Sequence, residues 1–319
     1  MELRALNYFV VTAEELNITH AAERLCMTQP PLSFQLKALE EELGVTLFIR
    51  GKRRLTLTDE GAAFLKRAKQ MLELAEKAKS EVQEMKSGVS GTINIALIEG
   101  RAPYLAAKLV KGFSEEYPQV KYKLWTGSND DVFERIEHGL ADLAIIAAPY
   151  DSVGLNGINV GWEPWVAIMS NSNLLARKEG STVSLEEIAD YPLIVPSRKS
   201  RISAIHSWFE KVGREPNIIC EMANNGEAVA LAELNVGISI YPLTTYTPNP
   251  LTVSKLIAPD TRTLEYCLVW SKKQNPTMIA QQFLDFTSDF IAEGNMLDTG
   301  FPMPEWDEIV EKSGLKPLT

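Results

Sequence analysis

Gln29, Ser33 and Lys37 recur every four residues, which on a helix lines up an amide, a hydroxyl and an ammonium. Those are groups that hydrogen-bond base edges and phosphates. Leu32, Leu36, Leu39 and Leu43 form an apolar stripe beside them, so one side of the helix is anchored and the other is free. Shortly after come Arg50, Lys52, Arg53 and Arg54, inside a stretch from Leu43 to Thr58 that carries no acid. Alone, such a run is a solvated surface; next to a polar helix face it becomes a set of phosphate contacts. Other chemistry is scarce. His20, His138 and His206 lie far apart, with no metal or triad spacing. Cys26, Cys220 and Cys267 are odd in number, distant and set in apolar surroundings, which fits buried thiols better than a disulfide frame or a redox switch. No nucleophile–base pair, GxGxxG or Walker loop is found, so neither catalytic residues nor a metal or cofactor is expected.

The elements that must carry those groups follow from periodicity. Leu3, Leu6, Phe9 and Val10 predict a helix ending before Asn17. Asn17 and Thr19 suit the N-cap of a second helix, Thr19 to Leu25, with Ala21, Ala22 and Leu25 inward. After a turn at Cys26-Met27-Thr28, Thr28 suits the cap of the third helix, whose first turn tolerates Pro30 and Pro31. Two short helices on a tight turn make a helix-turn-helix. Leu55 and Leu57 alternate with Thr56 and Thr58, predicting a β-hairpin wing with a basic tip. Asp59 to Ser87 reads as one helix capped by Thr58. Phe64, Ala68, Met71, Ala75, Ala78, Val82 and Met85 are spaced 4, 3, 4, 3, 4, 3, the period of a coiled-coil dimer seam. The alternative is a helix packed on its own domain.

The chain has 319 residues, enough for two or three domains, and is 45% apolar and 23% charged, which excludes a disordered class. Its net charge of −10 is uneven. Residues 1–90 hold 13 basic and 13 acidic side chains, and residues 91–319 hold 19 and 29. Ser87-Gly88-Val89-Ser90-Gly91 suits a short hinge between the parts. No apolar run approaches the roughly 20 residues needed to span a bilayer, and no signal peptide is recognised, so a cytoplasmic chain without a membrane partner is expected.

From Thr92 strands alternate with helices: Thr92–Ile98, Pro103–Tyr117, Val120–Trp125, Asp130–His138, Asp142–Ala147. That βαβαβ unit repeats as Pro192–Pro196, Ile202–Val212, Asn217–Met222, Glu227–Leu234, Gly237–Tyr241. Strands near Val166–Met169 and Leu264–Trp270 are candidate crossings between two lobes, and the helix Pro276–Ile291 is expected to return to the first. Ligands of parallel sheets sit outside the carboxyl ends of strands. That rule selects Glu99, Gly100 and Arg101, Ser128, Ala147, Ser197, Arg198, Ser200 and Arg201, and Asn224. The cations there, with Lys199, suggest a small anion such as a carboxylate; Glu99 instead suggests an amine or a partner for Arg101. Beyond Gly294, Trp306, Ile309 and Val310 suggest one apolar face of a short docking helix.

Ala21-Ala22-Glu23-Arg24-Leu25, Thr28-Gln29-Pro30-Pro31-Leu32-Ser33, Leu39-Glu40 through Leu43-Gly44-Val45, and Leu47-Phe48-Ile49-Arg50 together resemble the signature of LysR-type transcriptional regulators, without a gap over about the first sixty residues. The resemblance implies a multidomain α+β and α/β chain. Residues 1–58 would be a winged helix-turn-helix and 59–90 a coiled-coil linker helix. Residues 91–319 would be a two-lobed, periplasmic-binding-protein-like α/β effector domain, with lobe I at 91–165 and 265–293, lobe II at 166–264 and a tail at 294–319. It places Thr28, Gln29, Pro30, Ser33 and Lys37 at DNA, with Arg50, Lys52, Arg53 and Arg54 on the wing. Phe34 stands where the family often has arginine; an aromatic there meets a thymine methyl and cannot bond guanine. The implied partners are double-stranded dyad-symmetric DNA, a small-molecule effector, a second copy of the chain in a dimer or tetramer, and RNA polymerase if transcription is activated. A redox-sensing regulator of the same fold is one alternative. A two-lobed solute binder or enzyme is the other, and it leaves the first ninety residues unexplained.

Overall fold

The structure, a computed structural model, describes residues 1–51, 54–84, 91–150, 152–223, 225–245, 249–258 and 263–294. The hinge at 87–90 and the tail at 295–319 therefore lie outside the described residues. Two compact units divide at Thr92.

In the first unit α1 (Leu3–Glu15), α2 (Ile18–Arg24) and α3 (Gln29–Leu43) precede a hairpin of β1 (Phe48–Arg50) and β2 (Leu55–Leu57), then α4 (Asp59–Glu84). Asn17 caps α2, its side chain accepting from the Thr19 and His20 amides at 2.9 and 3.3 Å. Thr28 occupies the N-cap position of α3 but makes no capping hydrogen bond, contrary to expectation; Pro30 has no amide hydrogen for it to accept. Glu40 on α3 accepts from the Leu47 and Phe48 amides, tying the wing to the third helix. Thr58 caps α4 by accepting from Gly61 N–H at 2.9 Å. A Cβ on Gly61 would lie 2.2 Å from the Leu47 carbonyl, so glycine lets α4 start against the wing. The core is joined at Phe9, fully buried, whose ring lies 5.3 Å from Phe48 and 5.1 Å from Phe64.

The α4 seam divides. Phe64, Ala68 and Met71 pack on the unit's own core, whereas Leu74 beside the seam is 44% exposed and Val82 within it 64%. Ala78 is also exposed. Its first half is intramolecular because α1 crosses there; its second half has no apolar cover among the described residues.

The second unit opens with β3 (Thr92–Ile98), α5 (Ala102–Glu116), β4 (Lys121–Gly127), α6 (Asn129–Glu137) and β5 (Leu143–Ala147). The strand β6 (Leu155–Ser170) follows. Then come β7 (Thr182–Val183), α7 (Leu185–Ile188), β8 (Leu193–Pro196), α8 (Lys199–Lys211), β9 (Ile218–Met222), α9 (Asn225–Glu233) and β10 (Ile238–Pro242). A 3-10 turn (Leu243–Thr245), β11 (Thr252–Ile257), β12 (Thr263–Ser271) and α10 (Met278–Ala292) complete it. Strand order is β4-β3-β5-β12-β6-β10-β8-β9, with β11 on β6 and β7. β3 and β5 pair in parallel, as do β8 with β9 and β10, giving two α/β lobes. The helix α10 packs on α5 through Phe113, Phe283 and Phe286, in the first lobe as expected.

The connection between lobes differs from the expected one. β6 pairs with β12 from Leu155 to Pro164 and with β10 from Trp165 to Ile168. The crossing within β6 is thus at Pro164–Trp165, while Val166–Met169 is already inside lobe II and Leu264–Trp270 lies in lobe I.

Candidate functional site

The exposed face of α3 carries Gln29, Pro30, Phe34 and Lys37, with Ser33 half-buried and Thr28 exposed just before it. Phe34 is 70% exposed, and Lys37 lies 3.4 Å from Glu41, one turn on. Leu32, Leu36 and Leu39 are buried against α1 and α2, which fixes that face outward. The wing turn is closed by Gly51 N–H on the Arg54 carbonyl at 3.0 Å, with Arg54 exposed. The Arg50 side chain, Lys52 and Arg53 lie outside the described residues. Of the basic residues on α2 and α3, Arg24 is held by Glu14 and Glu15, so it does not join the free face.

In the second unit the loops after β3, β4, β5 and β8 meet at one cleft. Arg201 donates to the Ala148 carbonyl at 2.9 Å, joining α8 to the end of β5. Asn129, at the start of α6 after the cap Ser128, accepts from Arg198 when its amide oxygen faces the guanidinium. Gly100, with φ +91°, brings its backbone so close that a Cβ would lie 3.3 Å from the Tyr266 hydroxyl and 3.7 Å from Thr244 Oγ1. An open cavity of about 600 Å3 is lined by Asp130, Phe133, Glu134 and Glu137 of α6, Pro149, Tyr150, Arg198 and Ser200.

A buried polar cluster lies at the crossing of β6 between the lobes. Glu163, 0% exposed, accepts from Thr244 N–H at 3.0 Å and Thr244 Oγ1 at 2.6 Å, and from the Tyr266 hydroxyl. Arg101 N–H reaches the Tyr266 oxygen at 3.4 Å. Burial is the largest effect and holds the Glu163 carboxyl above the usual carboxylate range, although the Thr244 and Tyr266 bonds and the Arg101 charge oppose it. Burial and the neighbouring Arg198 lower Arg201 to about 10, opposed by Tyr266 and Glu163. Its guanidinium lies 6.0 Å from the Trp165 ring centre.

Several candidate residues thus change role. Arg101 is 3% exposed, with its guanidinium 5.3 Å from the Tyr104 ring centre, so it is buried and not a solvent-facing cation. Ala147 is buried in the sheet opposite Tyr266, and its neighbour Ala148 supplies the cleft with a carbonyl. Ser197 is exposed and donates its amide to Met222, and Glu99 is exposed on the loop before Arg101. Asn224 lies outside the described residues. Sequence reading missed Glu163, Trp165, Thr244 and Tyr266; the available signal was a lone acid in the apolar run from Val160 to Met169.

The thiols do not form a redox pair here. Cys26 is exposed, correcting the apolar setting expected for it, and Cys220 and Cys267 are half-buried. Burial raises the Cys267 thiol, so it is a poor nucleophile at neutral pH. Among the described residues no group of histidines, cysteines and acids could hold a metal, and no helix is long and apolar enough to cross a membrane.

Residues 3–62 match the family "Bacterial regulatory helix-turn-helix protein, lysR family", and residues 86–291 match "LysR substrate binding domain". The chain is 36% identical over 251 residues to the HTH-type transcriptional regulator BsdA of Bacillus subtilis (strain 168), covering 76% of this chain and 84% of that protein. It is 31% identical over 245 residues to AlsR of the same organism, covering 76% and 80%. Full-length CbnR complexed with its target DNA is similar at TM-score 0.75 and 26% identity, over 91% of this chain and 99% of that one.

Proposed function

This chain belongs to the LysR family of transcriptional regulators, and from that premise we propose how its two units divide the work. The exposed α3 face reads DNA in the major groove, with Gln29, Ser33, Phe34 and Lys37 toward bases and phosphates. The wing residues Arg50, Lys52, Arg53 and Arg54 bind the flanking backbone. The exposed second half of α4 pairs with that of a second copy, so the site read is dyad-symmetric.

A small anion enters the cleft of the second unit and contacts Arg201, with Arg198 and Ser200 at the mouth. What supports this is the setting of Arg201, a half-buried guanidinium whose hydrogen bond goes to a neutral carbonyl and not to a carboxylate. Arg201 comes from lobe II and Ala148 from lobe I, so a ligand at this bond has different contacts in open and closed lobes. That difference is what lets it shift a population. RNA polymerase is the further partner if the regulator activates.

A thermal-shift screen of the intact chain against small carboxylates, amines and sugars tests the reading. A ligand at about 100 times its Kd adds about 2.7 kcal/mol of stability. The shift is expected among carboxylates and is expected to vanish in Arg201→Ala. A carboxylate shift that survives Arg201→Ala places the site elsewhere.

A further inference from the structure

The most outward side chain on the first half of α3 is apolar. At about 3.6 residues per turn, Phe34 leaves the helix about 170° from the mean direction of Leu32, Leu36 and Leu39, and those three leucines are buried. Phe34 is 70% exposed, whereas every other described phenylalanine is buried or half-buried. Pro30 and Ala38, one turn to either side, and Pro31 are also exposed, and none of them has a side chain that hydrogen-bonds. The outermost strip of α3 is therefore apolar, with Gln29, Ser33 and Lys37 along one flank. From Gln29 to Leu39 the helix carries no acid; Glu40, Glu41 and Glu42 gather at its far end. Its N-terminal half is thus the part suited to the groove of a polyanion, and Phe34 stands at the front of it.

We propose that Phe34 reads the C5-methyl group of a pyrimidine, so that each half-site has one position where thymine and 5-methylcytosine are accepted and uracil and unmethylated cytosine are disfavoured. The inference deepens the reading of α3 as the DNA reader and rests on it. The thymine methyl is the apolar group that unmodified base pairs present in the major groove, and 5-methylcytosine carries the same methyl on the same atom. A phenyl ring neither donates nor accepts a hydrogen bond, so it tells methyl from hydrogen and is indifferent to the O4 of thymine or the N4 of cytosine. Gln29 and Lys37 can bond purine edges; Phe34 cannot. Taking one methyl out of an apolar contact costs about fourfold in affinity, the equivalent of roughly 0.8 kcal/mol. Cytosine methylation inside the site would then tune occupancy without any change of base pair.

The test uses the intact chain, as wild type and as Phe34→Ala, on DNA that the wild type selects from a random pool. The side chain is exposed, so its truncation leaves the leucine core of the unit as it was. Titrations are run at low salt, where phosphate contacts keep the variant on DNA. Each thymine of a half-site is replaced in turn by uracil, which removes the methyl and keeps the pairing. Wild type is expected to lose about fourfold at one thymine per half-site, and about fifteenfold when both half-sites are changed together. With a C·G pair at that position, methylating the cytosine at C5 is expected to strengthen binding about fourfold. Both preferences should vanish in Phe34→Ala. Either preference surviving in Phe34→Ala assigns the methyl to another residue and overturns the inference. A wild type indifferent to uracil at every position overturns it too and leaves DNA reading by α3 standing. A wild type that selects no sequence at all removes that reading and this inference with it.

Discussion

Replacing Phe9 by alanine is expected to cost the N-terminal unit about 3–5 kcal/mol, the usual loss for a buried phenylalanine. Small domains have only about 5–15 kcal/mol in hand. Phe9 is 0% exposed and meets Phe48 of the wing and Phe64 of the linker helix, so one truncation opens a cavity where α1, β1 and α4 converge. No residue of that contact lies in the unit from Ile93 onward. Calorimetry of the variant should show the transition of the N-terminal unit lowered by many degrees, or missing, with the other unit's transition unmoved. DNA binding should be lost at temperatures where the second unit is still folded. Equal melting of both units in variant and wild type would mean that the aromatic junction carries little of the stability.

The second large effect lies at the exposed half of α4. Leu74 and Val82 present apolar surface along one helix, and a charge at each would face its like across a dimer interface. Leu74→Glu with Val82→Glu is expected to convert the dimer to a monomer while leaving the packing of Phe64, Ala68 and Met71 on the core unchanged. Losing the second reading head removes the bivalent gain, so DNA affinity should drop by about 10²–10⁴. Sedimentation equilibrium and a binding titration check both parts. A variant that remains dimeric would place the dimer contact off this face.

Where residues repeat with a strict period, the chain announces its structure. The leucine stripe of α3 and the βαβαβ run from Thr92 are found within a residue or two of their expected ends. The first half of β6 was hidden because Asn156, Gly157, Asn159 and Gly161 punctuate it like a loop; pairing to β12 overrides that local preference. β11, which opens on Thr252 and carries Ser254 and Lys255 between its apolar residues, was likewise missed, and β6 holds it in place. The α4 seam was legible as a period but not as to partner, since a 3.5-residue repeat suits a dimer and an intramolecular contact alike. The buried cluster around Glu163 was the least legible part. Glu163 is 81 residues from Thr244 and 103 from Tyr266, and only strand register places them together. Phosphate-binding loops and helix starts follow a topological rule that names them in advance; a buried acid among tryptophans signals only that partners exist.

That the chain reads DNA as a pair can be checked by a hydroxyl-radical footprint of the intact chain on DNA fragments selected by the protein itself. Two protected half-sites related by a dyad are expected, with centres separated by one or more helical turns of about 10–10.5 base pairs. Affinity should also fall steeply as salt rises from 50 to 200 mM, by roughly 10³–10⁵ if 6–10 phosphates are contacted. Sequence-indifferent protection, or a single half-site bound with full affinity, would contradict it.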